Sequence, residues 1–143
     1  MSTQAAERKR LGIRLLTPEG TVFSGQAAMI VAPSIAGEVG ILPRHQPIVA
    51  FLRPGETRLK MLDDSEEVFA TTDGYMAVEE DQVLILVEQA EKADQIDAHR
   101  AQDALRRAEE ALAAAGDDEA AVVAARSAKR RAENRLKVVE GRK

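Results

Sequence analysis

The densest run of residue types able to do chemistry in this sequence is Gly37-Glu38-Val39-Gly40-Ile41-Leu42-Pro43-Arg44-His45-Gln46-Pro47, which sets an acid, a guanidinium and an imidazole among turn-forming residues. Two readings fit it. It is either a strand flanked by turns with Glu38 and His45 simply solvated, or a loop edge that presents Glu38, Arg44 and His45 to a partner. Neither reading makes a catalyst: no nucleophile stands beside His45 or His99, and the chain has no G-x-S-x-G elbow, no G-x-x-x-x-G-K-[ST] loop and no G-x-G-x-x-G turn. An activity of its own is not expected. Zero cysteines exclude disulfides, thiolate zinc and iron–sulfur chemistry, and the two histidines lie far apart with no ligand cluster beside either.

The second chemical feature is a reversal of charge near the C-terminus. Residues 94–119 carry eight acids and three arginines, whereas residues 126–143 carry eight bases (Arg126, Lys129, Arg130, Arg131, Arg135, Lys137, Arg142, Lys143) against Glu133 and Glu140. The two segments attract each other, and the basic one is also drawn to any acidic surface. A nucleic-acid target is disfavoured, since no aromatic platform accompanies the basic stretch and the whole chain of 143 residues has a net charge of −4.

Composition shows what must position these groups. All five prolines lie at or before Pro54, all four aromatics at or before Tyr75 and seven of nine glycines at or before Gly74, after which the chain turns to alanine, arginine and acids. Turn residues with aromatics belong to a β domain, and a proline-free alanine-rich stretch belongs to helices. We therefore expect a β domain over residues 1–93 and a helical one over 94–143. With 45% apolar residues a packed core is available. No apolar run nears 18 residues and the first ten residues are polar and charged, which predicts a cytoplasmic-type chain with no bilayer insertion.

Short β-prone runs separated by turn signals predict antiparallel strands near 11–16, 21–23, 28–32, 38–42, 48–52, 57–62, 66–71, 75–79 and 82–88, most simply as a meander. Asp63-Asp64-Ser65 and Glu80-Asp81 are the expected tight turns, and Gly55 after Pro54 is expected at positive φ. Val83–Val87 is apolar on both faces, which predicts cover from both sides, by the opposite sheet and by another chain.

In the second half Gly116-Asp117-Asp118 joins two helices. Asp94 is placed to cap the first, with Asp97 adding negative charge near its N-terminus, and Asp117 or Asp118 to cap the second. Ala101, Leu105, Ala108, Leu112 and Ala115 form one apolar stripe, and Val122, Ala125, Ala128, Ala132, Leu136 and Val139 the other. Stripes made largely of alanine bury little area, with each Leu or Val worth about 1.5–3 kcal/mol before entropy is counted, so the hairpin should be weakly held and able to rearrange.

The ordered series Leu16-Thr17-Pro18-Glu19-Gly20-Thr21-Val22-Phe23-Ser24-Gly25, Ala32-Pro33, Gly37–Pro47, Leu52-Arg53-Pro54-Gly55, Ala90-Glu91 and Ile96-Asp97-Ala98-His99-Arg100-Ala101 resembles the epsilon subunit of F-type ATP synthases. The resemblance implies a sandwich of about ten strands and a C-terminal antiparallel two-helix hairpin. It implies a non-catalytic place in the rotor, with the sandwich against the gamma subunit and the polar loops of the c-ring, coupling proton transport to ATP synthesis. Carried over by position, Glu38 and His45 become c-ring contacts with Arg44 as their neighbour. The hairpin becomes a mobile regulatory element whose basic second helix meets acidic segments of the catalytic beta subunits and opposes hydrolysis. The implied location is peripheral, on the cytoplasmic face of a bacterial inner membrane.

Some members of that family bind ATP in the folded hairpin, as a regulatory ligand and not a required cofactor. Ile96, Asp97, Arg100 and Ala101 match the family's first segment, Glu91 the acid before it, and Arg131 with Arg135 the spaced arginines of the second helix. Arg131 and Arg135, one turn apart, can share a polyphosphate with Arg100, while Asp97 and Glu91 can accept from a ribose or an adenine amine. Arg107 is a further phosphate contact. Arg126 and Arg130 form an equally spaced alternative pair, and Asp97 can instead do no more than bond amides at the helix start. A free-standing ATP-sensing module of the same architecture is the competing functional reading.

Overall fold

The computed structural model describes residues 10–141. The basic Arg142 and Lys143 and the polar segment 1–9 lie outside the described residues. The chain divides into two compact units between Lys92 and Ala93.

The first unit holds ten strands: β1 (Leu11–Thr17), β2 (Gly20–Ala27), β3 (Met29–Ser34), β4 (Gly37–Ile41), β5 (Ile48–Leu52), β6 (Gly55–Lys60), β7 (Glu66–Thr71), β8 (Gly74–Glu79), β9 (Gln82–Val87) and β10 (Ala90–Lys92). Their hydrogen-bonded order is β10-β7-β6-β3-β5-β8-β9-β1-β2, with β4 on the free side of β3. The expected meander is therefore corrected: β1 inserts beside β9 and pairs with it in parallel, Ile13 opposite Val83 and Leu15 opposite Ile85. Alternation drives this insertion, because Leu11, Ile13, Leu15, Val83, Ile85 and Val87 all send their side chains to the same buried layer. The sheet curls into a sandwich, bringing Phe23 of β2 edge-on to Phe69 of β7 with ring centroids 6.0 Å apart. Between the layers lie Ile30, Ile41, Leu59, Phe69 and Met76. β10 has no β-branched residue to announce it and forms because Ala90–Lys92 completes the ladder along β7.

Two turns form as expected. Glu80 (φ 50°) and Asp81 (φ 62°) close the β8–β9 hairpin with both central residues left-handed, the geometry that matches strand twist. Between β6 and β7, the Asp63 carboxylate accepts from the Ser65 hydroxyl at 2.5 Å and the Ser65 amide at 3.0 Å, and these bonds hold its carboxyl below the usual aspartate range. Gly55 is a correction. It has no positive φ; what it requires is space, since a Cβ there would lie 2.8 Å from Cβ of Pro33.

The second unit begins with a 3-10 turn (Ala93–Gln95), followed by α1 (Ala98–Ala114) and α2 (Glu119–Glu140). Gly116 (φ 57°) ends the first helix, and Asp118 caps the second by accepting from the Ala121 amide at 3.2 Å. The seam is mostly alanine, as expected, with Ala101, Ala108, Ala125 and Ala132 buried and Leu105, Leu112, Val122 and Leu136 half-buried. It differs from the expected stripe at its end, where Val138 is buried and Val139 only half so, and where Asn134 enters the seam.

Candidate functional site

The segment that drew attention in the sequence is split by the fold. Glu38 is the second residue of β4, opposite Pro33 of β3, whereas Arg44 and His45 lie in the loop that leaves the other end of that strand. At about 3.3 Å rise per residue, some 10 Å of strand separates Glu38 from Ile41, so the three residues are not one cluster. Glu38 takes a hydrogen bond from Nη1 of Arg58 at 3.0 Å, and the same guanidinium reaches Glu56 at 3.4 Å. Burial opposes the charge on Arg58, but the bonds and charges of Glu38 and Glu56 outweigh it and raise its pKa above the ordinary arginine value. Arg58 was missed in the sequence because the pairing joins positions 20 residues apart.

In the loop, Arg44 sits at φ 70° and its backbone N–H donates to Oδ1 of Asp81 at 2.6 Å. The His45 amide closes a turn onto the Leu42 carbonyl at 3.2 Å. Nδ1 of His45 lies 2.7 Å from the Gln46 carbonyl, which can only accept, so Nδ1 is the donor in this bond. An acid-base pair with a nucleophile is not formed here.

An apolar row on the outer side of the sheet was not foreseen as a surface. Phe51 of β5 stands opposite Tyr75 of β8, Tyr75 opposite Leu86 of β9 and Leu86 opposite Leu16 of β1, and the Ile35 amide bonds the Phe51 carbonyl at 2.9 Å. Ile35 is 69% exposed, Phe51 63% and neighbouring Val49 67%. The doubly apolar strand at Val83–Val87 has one face covered within the chain: Val83, Ile85 and Val87 face the core, while Leu84 and Leu86 lie on the outer face with this row and are half-buried. Together these side chains form a contiguous, partly exposed apolar row on the outer face of the sheet.

In the hairpin unit the expected cap is shifted by one turn. Asp97, not Asp94, caps α1, its Oδ1 accepting from the amides of His99 at 3.0 Å and Arg100 at 3.2 Å. The Ile96 amide bonds the Ala93 carbonyl, which places Asp94 inside the 3-10 turn and out of reach of the helix start. Replacing Asp97 with alanine is expected to destabilise the hairpin by about 1 kcal/mol, while Asp97→Asn, which keeps a capping oxygen, changes it little. Thermal melting followed by helical circular dichroism checks this.

Seven of the residues matched to nucleotide binding fall in this one unit. Ile96 is half-buried, Ala101 buried, and Asp97, Arg100 and Arg107 exposed on the α1 side; Arg131 and Arg135, half-buried and one turn apart, are on α2. Glu91 lies in the other unit, on β10 opposite Ala70. The helices run antiparallel through a short connection, so the Asp97 end of α1 lies toward the C-terminal turns of α2, which carry both arginines. Burial separates the two candidate arginine pairs, since Arg126 and Arg130 face solvent. Lys129 and Glu109 link the helices at 3.9 Å, and Asp103 is shared by His99 and Arg106 within α1. Among the described residues, the guanidinium groups of Arg100, Arg107, Arg126, Arg130 and Arg131 make no ion pair. The hairpin thus retains several cations available to an anion.

No helix among the described residues is long and apolar enough to cross a membrane, and no group of three or more His, Asp or Glu among them is placed to hold a metal ion.

Comparison with known proteins matches both units, in chain order. Residues 10–93 match the family described as ATP synthase, Delta/Epsilon chain, beta-sandwich domain, and residues 94–140 match ATP synthase, Delta/Epsilon chain, long alpha-helix domain. The ATP synthase epsilon chain of Dehalococcoides mccartyi is 36% identical over 134 residues, 94% of this chain and 95% of that one. That of Halalkalibacterium halodurans is 41% identical over 128 residues, 90% and 96% of the two chains. That of Brevibacillus brevis is 42% identical over 103 residues, 72% and 78%. Among solved structures, a chain of the Euglena gracilis mitochondrial ATP synthase has the same fold, with a TM-score of 0.74 and 21% identity over 88% of this chain and 79% of that one. A chain in the central stalk and c-ring structure of the Tetrahymena thermophila mitochondrial enzyme gives 0.61 and 16% over 90% and 96%. With both domains matched in order and relatives of 36–42% identity covered over most of their length, the chain belongs to the epsilon family of ATP synthase subunits.

Proposed function

We propose that this chain is a non-catalytic rotor subunit of a bacterial F-type ATP synthase, held peripherally on the cytoplasmic face of the membrane, which ties the c-ring to the central stalk and restrains ATP hydrolysis through its hairpin. The reading is carried by two features of the chain, an exposed apolar row on the sandwich and a thin-seamed hairpin in which Arg100, Arg107, Arg126, Arg130 and Arg131 make no ion pair among the described residues. The row Ile35, Phe51, Tyr75 and Leu86 is the surface for gamma, because a face of that exposure is disfavoured in a chain that works alone. Arg44 and His45 in their loop, and Glu38 beside Arg58, meet the polar loops of the c-ring. The solvent-facing Arg126 and Arg130 meet acidic segments of the catalytic beta subunits when the hairpin extends.

ATP acts on the same hairpin as a regulatory ligand. Its phosphates are held by Arg131, Arg135 and Arg100, with Arg107 at the margin, and Asp97 offers a carboxylate oxygen beyond the one used in capping. Ile96 and Ala101 supply apolar contact. A ligand that adds contacts to the compact hairpin alone draws the population away from the extended inhibitory form.

The test is deletion of residues 93–143 in the intact complex. The sandwich unit has its own core, so assembly is expected to persist while ATP hydrolysis rises. Unchanged hydrolysis would refute the inhibitory role, and failure of the truncated chain to join gamma would refute the role given to the sandwich.

A further inference from the structure

The loop between β4 and β5 spans six residues, Leu42 to Pro47, two of them prolines without an N–H. Its central residue, Arg44, adopts a left-handed backbone (φ 70°), which a side chain with a Cβ resists. Such a conformation persists only where something holds it. Within the loop the backbone bond, His45 amide to Leu42 carbonyl, is long at 3.2 Å, and the 2.7 Å bond from the His45 ring to the Gln46 carbonyl does not involve the backbone of Arg44. The bond on the Arg44 backbone N–H, at 2.6 Å, comes from outside: the N–H donates to the carboxylate of Asp81, 37 residues further along the chain.

Asp81 is itself fixed from three strands. It closes the β8–β9 hairpin, where Glu79 pairs with Gln82, and its carbonyl accepts from the Gly12 amide of β1 at 2.8 Å. Its φ of 62° is one that glycine or asparagine occupies with less strain than aspartate. Glycine at that position would suit the turn and remove the acceptor. A carboxylate kept on a turn that favours glycine, and bonded to a strained residue of another loop, has a task beyond closing the turn.

We propose that Asp81 is a positioning residue that fixes the Leu42–Pro47 loop and so presents Arg44 and His45 to the partner at this end of the sandwich. The inference rests on the docking role given above to that loop. Asp81 acts through the Arg44 backbone and need not touch the partner. Because the bond goes to the backbone, it is independent of the side chain at position 44, which leaves Arg44 free for recognition.

The experiment compares Asp81→Gly, Asp81→Asn and His45→Ala in the full-length chain. Three quantities are read: amide exchange at Arg44 by nuclear magnetic resonance, the unfolding midpoint, and affinity for ATP synthase depleted of this chain. Asp81→Gly relieves the turn, so its midpoint is expected to hold or rise, while exchange at Arg44 quickens and affinity falls by about 10- to 100-fold, the scale of a hydrogen bond to a charged group. Asp81→Asn, which retains a side-chain oxygen, should recover most of both. Unchanged exchange in Asp81→Gly overturns the hold on the loop. Faster exchange with unchanged affinity, while His45→Ala does weaken binding, overturns positioning and leaves the docking role standing. If His45→Ala binds like the wild type as well, the docking role fails and the proposal with it.

Discussion

Replacing Gly74 with alanine is expected to be the most damaging single-atom addition in this chain, costing about 3–5 kcal/mol, a large part of what a domain of this size has. Gly74 opens β8 directly opposite Val87 of β9. A Cβ there would stand 1.9 Å from the Leu86 carbonyl oxygen and 2.7 Å from the Val87 Cα. Both are backbone atoms of a strand held on its other side by β1, through Leu16 opposite Leu86, so no side-chain rotation relieves the clash. Either the end of the β8–β9 ladder opens or β9 shifts and strains the parallel pairing with β1. Urea unfolding of the variant measures the loss. Gly116→Ala is the comparison: that glycine also has a special conformation, φ 57°, but nothing lies within 4 Å of the added carbon, and its cost should be the backbone term alone, about 1 kcal/mol. If Gly74→Ala cost no more than Gly116→Ala, the close approach of β8 and β9 would be wrong.

The second large effect is expected in the hairpin. Arg131→Ala with Arg135→Ala should weaken ATP binding by about 100-fold, taking each charge-assisted contact at roughly 1.5 kcal/mol. The sandwich should be untouched, since both residues belong to the other unit. The informative control is Arg126→Ala with Arg130→Ala, which removes the same charge from the solvent-facing side of α2. Calorimetric titration of ATP separates the cases. Equal loss in both double variants would mean that ATP senses only the net charge of the helix, and no heat from the wild-type chain at millimolar ATP would remove the nucleotide from the proposed function. A specific site gives loss in the first pair alone.

Local chemistry made much of this protein legible in its sequence. The end of proline, glycine and aromatics marks where strands give way to helices, because those residues act through their own backbone preferences and need no distant partner. The helix–turn–helix tail follows in the same way from alanine periodicity and Gly116, and so do the hairpin turns at Asp63–Ser65 and Glu80-Asp81. The strand at the start of the β domain, expected near residues 11–16, was visible too and forms as β1 (Leu11–Thr17).

What the sequence left open is what depends on two distant segments meeting. Whether Asp94 or Asp97 caps α1 turned on the 3-10 bond from Ile96 to Ala93. Arg58 beside Glu38, Asp81 beside Arg44, and the row from Ile35 to Leu16 each join residues of different strands, through a register that no local pattern specifies. Nor does periodicity reveal that Gly74 is required by the Leu86 carbonyl. Periodicity decides which face of a strand is buried; which strand lies beside it is decided by the closure of the whole sheet around one core, and the partners of the charged and exposed groups follow from that closure.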